Sequence, residues 1–209
     1  MMKDIKHKIF KTPFSKQYWI LAANELKSTR TIALASILIA MTLILEVLSK
    51  AINFPLLDRQ IHFTFITIAL SSMLFGPIVA LFTSTICDIL GFFIFSQGYP
   101  FFPGYTLSAI LGAIIFSLFL YRTRITLTKI FISKFIINVF VNAVLGALWL
   151  SILLTKNTYW FYLVTGLYKN LILLPFEVLI MFYIFKKIIP ISKANGIISY
   201  EIPDEIYLI

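Results

Sequence analysis

Hydrophobic positions fall in long blocks rather than in strict alternation. Residues 31–49, 61–75, 77–95, 104–121, 130–154 and 165–189 form apolar runs broken by a few polar side chains. Crossing a hydrocarbon core of about 30 Å takes about 20 apolar helical residues, so the runs predict membrane-spanning helices. Only Phe75-Gly76-Pro77 divides the second run from the third. Pro77 suits the first turn of a new helix, and Gly76 suits the tight turn before it. A single helix over 61–95 would be roughly 50 Å long, too long for the core. The pattern therefore predicts an all-α membrane protein with six transmembrane helices.

Composition agrees. Of 209 residues, 60% are hydrophobic and 13% charged, against about 45–50% and about 25% in soluble domains. Mean hydropathy is +0.94. Lipid must act as the solvent for this much apolar surface.

Charge then orients the spans. The net charge is +9. Lys3, Lys6, Lys8, Lys11, Lys16, Lys27 and Arg30 precede the first run, with Phe10, Phe14, Tyr18, Trp19, Ile20 and Leu21 among them. Residues 1–30 read as a basic amphipathic segment on the inner membrane surface. Arg122, Arg124, Lys129, Lys186, Lys187 and Lys193 fall on the same side, whereas Lys50, Arg59 and Lys156 fall on the other. Basic residues favour the cytoplasm, which predicts both termini inside, a spanning domain over 31–189 and a cytoplasmic tail over 190–209. Topology accounts for the basic excess, so no nucleic-acid partner is expected. One cysteine, Cys87, leaves no room for a disulfide framework.

Polar groups inside spans are costly and ask for a reason. Asp88 stands in the third run, Lys134, Asn138 and Asn142 in the fifth, Lys169, Asn170 and Glu177 in the sixth, and Glu46 in the first. Lys134, Asn138 and Asn142 are four residues apart, on one helical face. Asparagines can simply bond across helices, and Asp88 can serve as a structural partner of Lys134. Together the groups can also line a polar pocket for a small molecule. Zinc-protease, nucleophile-elbow and Walker A patterns are absent, so binding without catalysis is expected, with no metal site and no directly bound cofactor. Ser36 and Ala40 form a small-xxx-small pair that lets another helix approach closely.

Several stretches resemble a known family. They are Glu25-Leu26-Lys27-Ser28-Thr29-Arg30, Met73-Leu74-Phe75-Gly76-Pro77, Asp88-Ile89-Leu90-Gly91, Phe101-Phe102-Pro103-Gly104-Tyr105-Thr106-Leu107-Ser108-Ala109, Leu148-Trp149-Leu150-Ser151, and Lys169 with Leu174-Pro175. Over residues 25–189 the chain is similar to the substrate-binding S components of energy-coupling factor (ECF) vitamin transporters, folate (FolT) family. The resemblance implies a bacterial membrane receptor that captures folate from outside. It also implies assembly with the membrane subunit EcfT and two cytoplasmic ATPases, which alone use ATP. The family's docking motif falls on Ser36 and Ala40, with serine in place of its first alanine. A folate site would stack the pterin on Phe102, Tyr105 and Trp149, read its edge with Asn138 and Asn142, and hold the glutamate with Arg59 and Lys169. Alternatives are an S component for thiamine or another pterin, and an intramembrane lipid-modifying enzyme.

Overall fold

The computed structural model describes Pro13 and residues 15–51, 53–54, 59–60, 62–95, 100–154, 157–198 and 200. Helix α1 covers Lys16–Glu25 and α2 covers Thr29–Ala51. A two-residue ladder follows, β1 (Asn53–Phe54) against β2 (Arg59–Gln60), antiparallel with Asn53 opposite Gln60. Then come α3 (Phe65–Phe95), α4 (Pro103–Leu120), α5 (Leu127–Ile136), a π-helical stretch (Ile137–Leu145), α6 (Gly146–Leu153) and α7 (Tyr159–Ala194). Among the described residues four stretches, Thr29–Ser49, Phe65–Phe95, Pro103–Leu120 and Leu127–Leu153, are long and apolar enough to cross a membrane.

The break expected at Gly76-Pro77 is present. Gly76 has φ 82° and ψ −175°, a conformation open to glycine alone. It divides α3 into limbs 65–75 and 77–95. Ser71 and Thr83 hydroxyls lie 3.0 Å apart, whereas 12 residues of straight helix would separate them by about 18 Å. The limbs therefore fold back on one another. With α2, α4, the α5–α6 rod and α7 they make six rods. The first limb starts at Phe65 rather than at 61, and α7 starts at Tyr159 rather than at 165.

Local sequence explains most helix starts. Pro103 opens α4 with Phe102 as its extended N-cap. Thr126 caps α5 by accepting the Lys129 N–H at 3.2 Å. Large side chains such as Phe93, Phe176 and Tyr183 face outward, as lipid contact requires. Since lipid is as apolar as leucine, close packing and interhelical hydrogen bonds hold the rods together. Thr42 donates to Thr67 at 2.7 Å, and Ser72 donates to the Ala113 carbonyl at 3.0 Å.

The start of α2 and the residues after α7 meet. The Arg30 guanidinium donates to the carbonyls of Asn195 and Gly196. Beside it, Tyr18 donates to the Ser117 carbonyl at 2.8 Å, and Tyr200 donates to the Met73 carbonyl at 3.0 Å. Arg122, in a left-handed turn with φ 52°, lies over the Tyr121 and Tyr200 rings. Helix α1 and the described residues after α7 thus lie at one end of the bundle. The domain limit expected at 190 falls inside α7, and Ile198 and Tyr200 beyond it are buried. The limit expected at 30 falls inside α2.

Candidate functional site

At the opposite end lies a cavity of about 420 Å³, within the range of about 300–1,000 Å³ usual for small-molecule sites. The first limb of α3, α4, the α5–α6 rod and α7 supply its walls. Among the described residues, α2 contributes none to it. The glycine at 112 faces open space, with no heavy atom within 4 Å of where a Cβ would stand.

One wall is aromatic. Trp149 on α6 and Tyr105 on α4 line the cavity. Phe102 stands behind them, its ring edge-on to Trp149 at 5.5 Å and to Tyr105 at 5.9 Å. Edge-to-face contacts of this kind favour a fixed ring orientation. Gly104 makes the cluster possible, because a Cβ there would meet Phe102 and approach the Trp149 indole to 2.7 Å. The Trp149 indole N–H donates to Ser108 at 2.9 Å, which leaves the ring faces for packing. The sequence reading did not single out Ser108. Its spacing from Tyr105, one helical turn, was the available signal.

The other wall is polar. Lys134, Asn142, Lys169, Asn170 and Glu177 line it. Lys134 is only 2% exposed. Its ammonium lies 3.1 Å from Glu177 Oε1 and 4.0 Å from the Phe65 ring centroid. The expected partnership of Lys134 with Asp88 is therefore replaced. Asp88 instead accepts from the Thr106 hydroxyl at 2.5 Å. Lys134 sits on the α7 side of its rod, where Glu177 is the acid within reach.

Asn138 is fully buried and absent from the cavity surface. Its Nδ2 donates to Glu177 Oε2 at 2.7 Å and to the Asn170 carbonyl at 3.0 Å. Its Oδ1 accepts from Asn142 Nδ2 at 3.1 Å. Both asparagines sit on the π-helical stretch, a local widening found often at functional sites. The structure thus brings Tyr105, Asn142, Trp149 and Lys169 to one cavity, with Phe102 and Asn138 immediately behind. Arg59 is placed on β2, and its side chain lies outside the described residues, as do residues 1–12 and 201–209. Ser36 and Ala40 are exposed on α2. His62 and Gly112, without a role in the sequence reading, also line the cavity.

Comparison with known proteins places this geometry. Residues 30–185 match the family model "ECF transporter, substrate-specific component". The folate transporter FolT of Clostridium novyi (strain NT) is 33% identical over 142 residues, 68% of this chain and 81% of that protein. The folate transporter FolT of Leuconostoc mesenteroides subsp. mesenteroides is 26% identical over 161 residues, 75% of this chain and 84% of that protein. A crystal structure of FolT bound with folic acid superposes with a TM-score of 0.62 at 30% identity, covering 72% of this chain and 88% of that one.

Proposed function

The chain belongs to the substrate-specific components of ECF transporters, a family of transport subunits rather than enzymes, and from that premise we propose that it binds folate. The observation that carries this reading is the cavity itself. It combines a Tyr105–Trp149 aromatic wall with amide and lysine groups opposite, in a chain similar to a folic acid-bound FolT. A folate needs both halves. Its flat pterin ring stacks on aromatic faces, its ring edge exchanges hydrogen bonds with amides, and its anionic glutamate meets a cation. Tyr105 and Trp149 supply the first, Asn142 the second and Lys169 the third. Phe102 and Asn138 hold these groups in place, and Arg59 is the second cation proposed for the glutamate.

The protein captures the vitamin from outside the cell and passes it to partners. Those partners are the coupling subunit EcfT, docked on the Ser36–Ala40 face, and two ATPases that supply the energy. The charge distribution along the chain supports a bacterial cell membrane with the amino terminus inside. Binding itself requires no nucleotide. Calorimetric titration of the purified chain in detergent, without ATP, is expected to show saturable binding of folic acid or 5-formyltetrahydrofolate. A folded protein that takes up neither would refute the assignment.

A further inference from the structure

A free asparagine amide can turn over and present a donor where it presented an acceptor. The network behind the cavity removes that freedom from Asn142. Glu177 Oε1 lies 3.1 Å from the Lys134 ammonium, and its Oε2 accepts from Asn138. The Asn170 carbonyl can only accept. Asn138 Nδ2 is committed to these two acceptors at 2.7 and 3.0 Å. Its amide therefore has one allowed orientation, with Oδ1 toward Asn142. That oxygen in turn requires a donor, which Asn142 Nδ2 supplies at 3.1 Å. Asn170, also in the lining, commits its Nδ2 to the Gly166 carbonyl at 2.9 Å.

We propose that the Lys134–Glu177–Asn138 relay is a specificity device: it pins the Asn142 amide so that its carbonyl oxygen faces the cavity as an acceptor for an N–H-bearing ring edge. The inference rests on the folate reading and refines it. The edge it selects is an amino group beside a ring N–H, as the 2-amino-4-oxo half of a pterin offers. A ring with an acceptor at that position finds no partner and leaves a polar group unsatisfied. Asn138 and Glu177 act here as positioning residues. Asn142 makes the contact.

The test uses two probes, folic acid and its analogue lacking the 2-amino group, titrated against the purified chain in lipid nanodiscs. The intact protein is expected to prefer folic acid by about tenfold, the effect of one buried hydrogen bond. Asn138→Leu keeps the side-chain size and the Lys134–Glu177 pair but releases Asn142, so the preference should shrink to about threefold or less. An unchanged preference in the folded variant would overturn the proposal. Should Asn138→Leu fail to fold, Asn138→Ser serves instead, because a hydroxyl gives or takes a hydrogen bond and pins nothing. A ligand-free readout separates this inference from the folate assignment. In protein labelled with ¹⁵N-asparagine, the Asn142 side-chain N–H signal, identified by its loss in Asn142→Leu, should exchange slowly with water and faster in Asn138→Leu. Slow exchange without folic acid binding would refute the folate reading and keep the pinned amide. Fast exchange in the intact protein would refute the pinning.

Discussion

Adding a bulky side chain at Gly112 is expected to leave the fold as stable or more so and to weaken the site. Gly112 lies within α4, and a Cβ there would meet no heavy atom within 4 Å. The space in front of it is the cavity. Glycine inside a helix costs about 0.5–1 kcal/mol relative to alanine, so Gly112→Ala should gain about that much stability with no clash to offset it. Gly112→Leu keeps most of that gain and sends three further carbons into the space the ligand needs. Crowding of a packed site costs about 1–3 kcal/mol, which corresponds to a loss of affinity of roughly 5- to 150-fold. Thermal unfolding in detergent without ligand, followed by titration with folic acid, gives both quantities on the same preparation. The signs must be opposite, with the melting temperature unchanged or higher and the affinity lower. A Gly112→Leu protein that binds folic acid as the original does would place the ligand elsewhere. One that melts early would show that the space is not free.

Three further outcomes follow from the same packing. Lys134→Met strands Glu177 and should cost about 3–5 kcal/mol, whereas Lys134→Met with Glu177→Leu should recover most of it, since a buried pair is often no better than apolar isosteres; thermal unfolding of all three proteins decides, and a double variant no more stable than the single would contradict the pairing. Burial, opposed by Arg122, pushes Tyr121 up to about 12, and burial also raises Tyr18 and Tyr200. Unfolded tyrosines ionise near pH 10. Above that pH the unfolded chain releases protons the folded one keeps, so stability should be level below about pH 10 and fall toward about pH 12. Melting temperatures across this range should fall less steeply for Tyr121→Phe, and an identical slope would refute the assignment. Ala40→Trp should prevent co-purification with EcfT while folic acid titrates normally; retained assembly would move the docking face.

The rods were legible because lipid imposes one demand on sequence, a long apolar run, and the Gly76-Pro77 break stands out within it. The aromatic cluster was legible through Phe102-Pro103-Gly104-Tyr105, a run whose glycine turns out to be the point of closest approach. Helix starts were harder. The sixth apolar run was read from 165, yet Tyr159, Trp160, Phe161 and Tyr162 already form the first turn of α7. Pairing among intramembrane charges was hidden because spacing says which face a residue takes but not which rod stands opposite. Asp88 was the acid considered for Lys134, and only the packing of α5 against α7 selects Glu177. The π-helical stretch leaves no comparable mark, since apart from Asn138 and Asn142 the residues Ile137–Leu145 have the composition of any apolar helix. Ile198 and Tyr200 follow basic and polar residues, so their return to the bundle was likewise unreadable.

The placement of polar contacts would keep the proposed ligand site and the proposed docking face on separate surfaces. Tyr105 at the cavity and Tyr121 at the junction of α1 with the residues after α7 are 16 residues apart on one rod, about 24 Å along its axis. At the cavity end the polar groups converge on open space. At the other end they converge on one another, with Arg122, Tyr18, Tyr121 and Tyr200 tying α1 and the residues after α7 to the bundle. Helix α2 joins the two ends through Thr42–Thr67 and Arg30, yet among the described residues supplies none to the cavity. Its outer face presents Ile32, Ser36, Ala40 and Ile44 at four-residue intervals, all exposed. Ser36 turns its hydroxyl back to the Ile32 carbonyl at 2.9 Å, so it offers a partner helix a small and internally satisfied surface, much as alanine would. A bulky residue at Ala40 therefore has no route to the ligand except through the whole width of α2, and loss of both functions in Ala40→Trp would mean that the two surfaces are coupled through the rod itself.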